Sequence, residues 1–248
     1  MAGRLAGRTA VVTGGSTGIG QEIARRLAAD GADIAVADVS PADETRALVT
    51  ATGRRFLSDK VDVSDEDAIT GFAARVRGEL GFADILVNNA AVVLLADLDH
   101  VTHEEWRRTF AVNVDGPFLA SKAFLPDLKR SGSGRIINIT SSSYWTAPPP
   151  LVSYISAKGA LNGLTSVLAA NLAVHDITVN GVAAGLVKTA AAVENTDDAF
   201  VEQAVRFQDI KRVGMPHDVS GVVAFLASDD AAFITGQIVV ADGGSTRR

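Results

Sequence analysis

Cysteine is absent from this sequence of 248 residues. Disulfide bonds, thiolate catalysis and cysteine-ligated metals are therefore excluded. Clusters of lysine and arginine are absent too, and the formal net charge of −6 argues against nucleic acid and anionic membranes as partners. No apolar run approaches the roughly 20 residues of a membrane-spanning helix, and the first apolar run is too short for a signal peptide. We therefore expect a soluble, cytoplasmic protein.

Histidine is scarce, and the four histidines are scattered along the chain. His100 and His103 lie close in sequence to Asp97 and Asp99, a grouping that a metal site could share. The pattern favours a solvated helix start instead, because acidic residues and histidines are common at exposed helix ends. We therefore expect no metal ion.

The N-terminal part of the chain contains a strand, a glycine turn and a helix in immediate succession. Residues 10–12 are a short β-branched run, residues 13–20 are rich in glycine, and residues 21–29 have apolar side chains at helical spacing. This order is the context of a dinucleotide-binding turn, in which the backbone approaches a pyrophosphate at a helix N-terminus. The expected contacts are Gly14, Ser16, Thr17, Gly18, Ile19 and Gly20.

Asp38 ends the next apolar strand, about 20 residues after the glycine turn. An acidic residue at this distance accepts hydrogen bonds from the ribose hydroxyls and repels a 2′-phosphate. Ser16 and Thr17 offer no positive charge to hold such a phosphate, and no Lys or Arg follows Asp38 directly. We therefore expect NAD rather than NADP as the cofactor.

Strands and helices then alternate to the C-terminus without a repeat, linker or low-complexity segment. Helical segments, among them 41–51, 64–81, 102–118 and 153–174, separate apolar strand segments at 55–61, 84–90, 135–140, 177–180 and 237–240. This pattern predicts βαβ units and a parallel sheet covered by helices on both faces. The expected fold is α/β, a Rossmann-type doubly wound sheet in a single domain spanning 1–248.

Ligands of an open α/β sheet bind beyond the carboxyl ends of its strands. We expect Asp62 and Val63 to lie there beside an adenine, together with Asn89 and Ala90 after the fourth strand. Ser141 also follows its strand, and a serine hydroxyl can hold a carbonyl or alkoxide oxygen. No histidine or acidic pattern makes this serine a nucleophile, and turn formation is its alternative role.

Tyr154 and Lys158 begin the long helical segment after Ser141, four residues apart and therefore on one helix face. A free phenol titrates near pH ~10, and a neighbouring ammonium lowers that pKa. A Tyr–Lys pair tuned in this way exchanges protons near neutral pH. The same spacing also occurs in ordinary surface pairs, so the surrounding motifs decide between the two interpretations.

Five motifs in this order resemble the classical short-chain dehydrogenases/reductases, and the resemblance covers essentially the whole chain. The motifs are Thr13-Gly14-x-x-x-Gly18-x-Gly20, Asn88-Asn89-Ala90, Asn113, Ser141 and Tyr154-x-x-x-Lys158. Each motif is loose by itself, but all five with a matching chain length are specific. The resemblance implies an oxidoreductase that uses NAD and is a homotetramer.

The resemblance also implies a role for each residue of the catalytic group. Tyr154 would be the general acid/base, and Ser141 would polarise and position the substrate oxygen. Lys158 would lower the pKa of Tyr154 and bind the nicotinamide ribose, which Tyr154 also contacts. Asn113 would hold a water molecule in a proton relay from the lysine to solvent.

Two positions depart from the family pattern near the expected nicotinamide. Ala91 replaces a glycine after the fourth strand, and Ala184 replaces a proline after the sixth. The first adds a methyl group near the cofactor, and the second is expected to make the following loop less rigid. Gly185, Val187 and Thr189 still match positions that contact the nicotinamide side of the cofactor.

The loops that hold substrate in the resembling family are apolar and aromatic in this chain. The expected substrate contacts are Val93, Ser141, Ser143, Trp145, Leu151 and Tyr154. No Arg or Lys accompanies these residues to hold a phosphate or carboxylate, so we expect the substrate to be an uncharged, hydrophobic secondary alcohol or ketone. Residues 140–145 and 177–189 look similar to 1-phenylethanol dehydrogenase-type members, and a sugar, polyol or acyl-thioester substrate is the alternative.

Residues 194–207 have weak helical periodicity and several charges. They are expected to belong to a substrate loop or lid at about 189–212, with a plain surface helix as the alternative. A non-catalytic NAD-sensing protein on the same fold is the alternative from another functional class. The intact catalytic group argues against a sensor, because a sensor needs no proton relay.

Overall fold

The computed structural model describes residues 3–189 and 198–247 of the chain. In that part of the chain, seven parallel strands form one sheet: β1 (Thr9–Thr13), β2 (Asp33–Asp38), β3 (Phe56–Lys60), β4 (Ile85–Asn88), β5 (Arg135–Ser141), β6 (Thr178–Ala184) and β7 (Ile238–Ala241). Their order is β3-β2-β1-β4-β5-β6-β7. The prediction of an α/β, Rossmann-type, doubly wound parallel sheet is confirmed.

Helices follow the strands along the chain and cover the sheet. They are α1 (Gly18–Ala29), α2 (Asp43–Thr50), α3 (Glu66–Glu79), α4 (His103–Phe110), α5 (Gly116–Ser131), α6 (Ser143–Thr146), α7 (Val152–Leu172), α8 (Asp198–Phe207) and α9 (Pro216–Ala227). Among the described residues, no helix combines the length and the apolar character needed to cross a membrane. Residues 190–197 of the predicted lid lie outside the described residues, whereas α8 accounts for the helical periodicity that follows them.

The central strands β1, β2, β4, β5 and β6 are almost wholly buried because both faces of the sheet are covered there, whereas the edge strand β3 is more polar and less buried. Val12 and Val36 belong to one core cluster, which packs on α1 and α9. Val11 and Ala35, each one position earlier, belong to a second cluster with Phe124 of α5. Successive residues of a strand point to opposite faces, so one short strand contributes to both cores.

The strands are added to the sheet in one direction from β1 to β3 and in the opposite direction from β4 onward. The position of the ligand crevice follows from this change. β1 pairs with β2 on one side and with β4 on the other. The connections on the two sides therefore leave in opposite directions, and a crevice opens between them at the carboxyl ends of β1 and β4. The glycine turn, Asp38 and Asn89 all lie at or just after the carboxyl ends of their strands on this side of the sheet.

A π-helical turn joins α4 to α5 and positions Asn113. The sequence predicted one continuous helix through this region, but Ala111–Asp115 is wound as a π-helix. An α-helix that widens in this way is frequently found at functional sites. Asn113 lies in the middle of the turn and is fully buried.

Candidate active site

The glycine turn between β1 and α1 is compact because only glycine fits its backbone. Gly14 and Gly18 have positive φ values of 64° and 60°. A Cβ atom on Gly20 would lie 2.0 Å from the carbonyl oxygen of Gly14. The turn lines a cleft at the N-terminus of α1, where unpaired N–H groups favour an anion.

Thr13 and Asn89 hold this turn against the end of β4. The Thr13 hydroxyl oxygen accepts hydrogen bonds from the N–H groups of Asn89 at 3.0 Å and Ala90 at 3.1 Å. The Asn89 side-chain amide donates to the carbonyls of Thr13 at 3.1 Å and Gly14 at 2.8 Å. Sequence reasoning assigned Asn89 to the cofactor and gave Thr13 no structural role. The position of Thr13 directly before the first glycine was the sequence feature that could have indicated this structural role.

Asp38 is fixed at the end of β2 by two backbone groups. Its carboxylate accepts hydrogen bonds from the N–H of Ser16 at 2.9 Å and the N–H of Ser40 at 2.9 Å. The Ser16 hydroxyl donates to the carbonyl of Ser40 at 2.9 Å, which ties the glycine turn to the same loop. The carboxylate is thereby held at the cleft, where the sequence places the ribose.

The cleft has a volume of about 400 Å³ and brings together most residues predicted to bind the cofactor. These lining residues are Gly14, Thr17, Gly18, Ile19, Gly20, Asp38, Asp62, Val63, Asn89, Ala90 and Thr189. The structure adds others that sequence reasoning did not assign to the cofactor, namely Ala37, Val39, Val61, Ala91, Val92, Arg108 and Val112. The other residues predicted to bind the cofactor do not form part of the lining, namely Ser16, Tyr154, Lys158, Gly185 and Val187.

Ser141 ends β5 and forms hydrogen bonds with two other predicted site residues. Its hydroxyl lies 2.6 Å from the hydroxyl of Ser143 and accepts a hydrogen bond from the Ser143 N–H at 3.2 Å. It also forms a hydrogen bond with Tyr154, which by itself lowers the pKa of the phenol. Burial has the larger effect and raises the pKa of Tyr154 above its usual value. The predicted lowering is therefore not achieved by the groups of the chain alone.

Lys158 lies one turn after Tyr154 on α7 and is 2% exposed. Its Nζ donates to the carbonyl of Ile139 at 2.8 Å and lies 5.5 Å from the centre of the Tyr154 ring. No carboxylate pairs with it in the part of the chain that the structure describes. Burial therefore disfavours the ammonium and lowers the pKa of Lys158 to about 8.

Asn113 connects the cleft to α4. Its Nδ2 donates to the carbonyls of Val92 at 2.9 Å and Thr109 at 3.0 Å. These two acceptors fix the orientation of the amide, and its Oδ1 is the atom that can still accept a hydrogen bond. This buried oxygen has no hydrogen-bond partner among the described residues. A buried acceptor of this kind suits the water-holding role that the resemblance implies.

The predicted substrate residues come from two segments that the structure joins. Leu151, before α7, forms an isolated bridge with Ala96, which follows β4 in the same segment as Val93. Val93 is 54% exposed. Trp145 packs edge-on against Tyr144, with ring centres 5.4 Å apart, so it is part of an aromatic pair beside Ser143.

The two positions that depart from the family pattern lie in the lining of the cleft and at the end of β6. Ala91 is exposed and lines the cleft. Ala184 is the last residue of β6, and its carbonyl accepts a hydrogen bond from the N–H of Ser142 at 3.0 Å. The loop begins at Gly185, where a Cβ atom would lie 2.8 Å from the Cα of Asp242.

Comparison with known proteins gives concordant matches. A family model described as Enoyl-(Acyl carrier protein) reductase matches residues 14–246. An uncharacterized oxidoreductase of Methylorubrum extorquens is 40% identical over 97% of this chain and 98% of its own. A crystal structure provisionally described as a short-chain alcohol dehydrogenase of Sinorhizobium meliloti is 36% identical, with a TM-score of 0.93 over 97% of both chains. Carveol dehydrogenase from Mycobacterium avium, in complex with NAD, is 29% identical, with a TM-score of 0.91 over 98% of this chain and 99% of its own.

Fold and site together define an oxidoreductase with a Rossmann-type domain. The chain belongs to the classical short-chain dehydrogenase/reductase family, as its motifs predicted.

The residues of the cleft fit a nicotinamide dinucleotide. Gly14, Gly18 and Gly20 line the cleft without side chains, so a phosphate can approach the backbone there. Asp38 is part of the lining, and Val61, Val63 and Val112 add apolar side chains of the kind that suit a flat base. Within 3–189 and 198–247, no group of three histidine or acidic side chains could hold a metal ion.

Proposed function

We propose that this protein is an NAD(H)-dependent dehydrogenase/reductase that interconverts a hydrophobic secondary alcohol and its ketone. The observation that carries the proposal is that one chain holds the group Ser141, Tyr154 and Lys158 together with the cleft, which Asn113 contacts through its hydrogen bond to the lining residue Val92. Ser141 forms a hydrogen bond with Tyr154, and Lys158 lies one helix turn away. An aryl-alkyl carbinol of the 1-phenylethanol type is the substrate class that the sequence favours.

Tyr154 takes the proton of the alcohol during oxidation and returns it during ketone reduction. Ser141 holds the substrate oxygen against the phenol, and Ser143 orients the Ser141 hydroxyl. The ammonium of Lys158 favours the phenolate of Tyr154 and binds the nicotinamide ribose. Asn113 holds a water molecule, through which the proton passes from Lys158 towards solvent. The bound nicotinamide supplies the hydride chemistry, and the protein supplies position and electrostatics.

Asp38 supports NAD over NADP. A 2′-phosphate beside its carboxylate would meet like charge, and Val39, the next residue in the cleft, offers no compensating cation. The substrate loop at about 189–212, a homotetramer and a cytoplasmic location are further parts of this proposal. Size-exclusion chromatography with light scattering checks the tetramer.

A substrate panel followed by NADH absorbance tests the proposed activity. We expect turnover of 1-phenylethanol and similar carbinols with NAD, and at least about tenfold lower kcat/KM with NADP because of the charge of Asp38. The panel includes sugars, polyols and acyl thioesters. Turnover restricted to those compounds would overturn the substrate class. Binding of NADH without turnover of any compound would favour the sensor.

The Tyr154–Lys158 pair predicts opposite pH dependences for the two directions. Burial raises the pKa of Tyr154 and lowers that of Lys158 to about 8, and such close groups titrate as a pair. Oxidation needs a proton acceptor, so its kcat/KM should rise as the pH passes through about 8, where Lys158 loses its proton and the pair can accept one, whereas that of reduction should fall over the same range. Lys158→Met should move the rise to higher pH because the ammonium no longer favours the phenolate. Flat profiles in the wild type would contradict this assignment.

A further inference from the structure

Arg108 lies at the end of the cleft where the sequence places the adenine. Apolar side chains form most of the lining here, among them Val61, Val63 and Val112. Among the described residues, Arg108 is the only basic side chain in the lining, and Asp62 is its acidic neighbour. A protein distinguishes one flat base from another through polar groups that contact the edge of the base. Arg108 and Asp62 are in a position to make such contacts.

Both oxygens of the Asp62 carboxylate are oriented by specific donors. Oδ1 accepts from the N–H of Ser64 at 3.0 Å and from the Ser64 hydroxyl at 2.6 Å. Oδ2 accepts from Nη1 of Arg108 at 3.1 Å, and the same Nη1 lies 3.4 Å from the Ser64 hydroxyl. A carboxylate oxygen accepts more than one hydrogen bond, so Oδ2 keeps capacity for a further donor.

The charge of Asp62 follows from the same contacts. Partial burial works against ionisation, but the hydrogen bonds from Ser64 and Arg108 outweigh it and hold the pKa of Asp62 below its usual value. The group is therefore an acceptor at neutral pH. The pair is half-exposed, with 50% of the Arg108 side chain and 37% of the Asp62 side chain accessible. Ion pairs this exposed add little to stability, so removal of Arg108 should leave the fold intact.

We propose that Arg108 is a positioning residue that selects the base of the bound dinucleotide. It fixes Asp62 as an acceptor for the exocyclic amino group of adenine, and it thereby disfavours hypoxanthine, which carries an oxygen at that position. This inference rests on the proposed use of NAD(H) and extends it to a residue outside the predicted site.

The test compares the binding of NADH with that of its hypoxanthine counterpart, nicotinamide hypoxanthine dinucleotide, by fluorescence titration. The wild type should bind NADH roughly tenfold more tightly, which is the value of one hydrogen bond to a charged group. Arg108→Met should weaken NADH binding by about that factor, leave the hypoxanthine compound nearly unchanged, and bring the ratio towards one. Arg108→Lys should restore part of the preference.

Arg107→Met is the matched control, because Arg107 precedes Arg108 on α4 and is exposed but does not line the cleft. It should leave the ratio unchanged. Equal weakening of both dinucleotides in Arg108→Met would show a phosphate contact or a structural role and would overturn the proposal. An unchanged ratio would do the same. A wild type that binds neither dinucleotide would instead overturn the proposed function, and this inference with it.

Discussion

Tyr154→Phe is expected to lower the rate of alcohol oxidation by about 10³-fold while NADH binding is retained. The substitution removes one hydroxyl and keeps the ring, so packing at the start of α7 is preserved. In the proposed mechanism the lost hydroxyl exchanges the proton of the substrate, and general acid–base catalysis contributes typically 10²–10⁴-fold. A factor of 10³ corresponds to about 4 kcal/mol of transition-state stabilisation.

Single-turnover rates and fluorescence titration with NADH separate the two effects. The matched control is Tyr144→Phe, because the chain has two tyrosines and the other one is 44% exposed beside Trp145. The control should keep its rate within a few-fold. If Tyr154→Phe turned over like the wild type with NADH bound, the proposed mechanism would be wrong.

Gly20→Ala is expected to destabilise the protein by roughly 3 kcal/mol and to abolish measurable dinucleotide binding. The added methyl group would lie 2.0 Å from the carbonyl oxygen of Gly14 and 2.5 Å from Nδ2 of Asn89. The first contact is backbone, which cannot move aside without opening the turn. The second disturbs the amide that holds the turn to β4. Stability and binding should therefore fall together.

Urea denaturation measures the first effect and NADH titration the second. Gly71→Ala is the control, since Gly71 is exposed within α3 and a Cβ atom there meets nothing within 4 Å. In a helix interior, alanine is favoured over glycine by about 1 kcal/mol, so this variant should be slightly more stable than the wild type. A Gly20→Ala protein with wild-type stability would refute the close contact.

The order and type of the elements were predictable because most strands contain a short apolar run that lies between helical segments. Strand order was not explicit in the sequence, since pairing of β1 with β4 depends on contacts across some 75 positions, such as that of Thr13 with Val87. The π-helical turn at Asn113 was also missed. Its residues have ordinary helical spacing in the sequence, and only the backbone conformation shows that the turn is wider than an α-helical turn.

The proposed catalytic group came from sequence motifs, but its electrostatics could not be predicted from them. The direction of the pKa of Tyr154 came out opposite to the expectation, because burial is a property of the packed structure and outweighs the hydrogen bond from Ser141. Arg108 was missed for a related reason. It is 46 positions from Asp62, and nothing in the sequence indicates that they meet.

The hydrogen bonds between the glycine turn and Asn89 mean that the dinucleotide turn is not a self-contained module. Thr13 and Gly14 are held by a residue 75 or more positions later in the chain. A fragment that ended before β4 would contain every residue of the turn and still lack its shape. Grafting the glycine motif onto another protein would likewise require its distant amide partner, and a nascent chain cannot complete this site until β4 has left the ribosome.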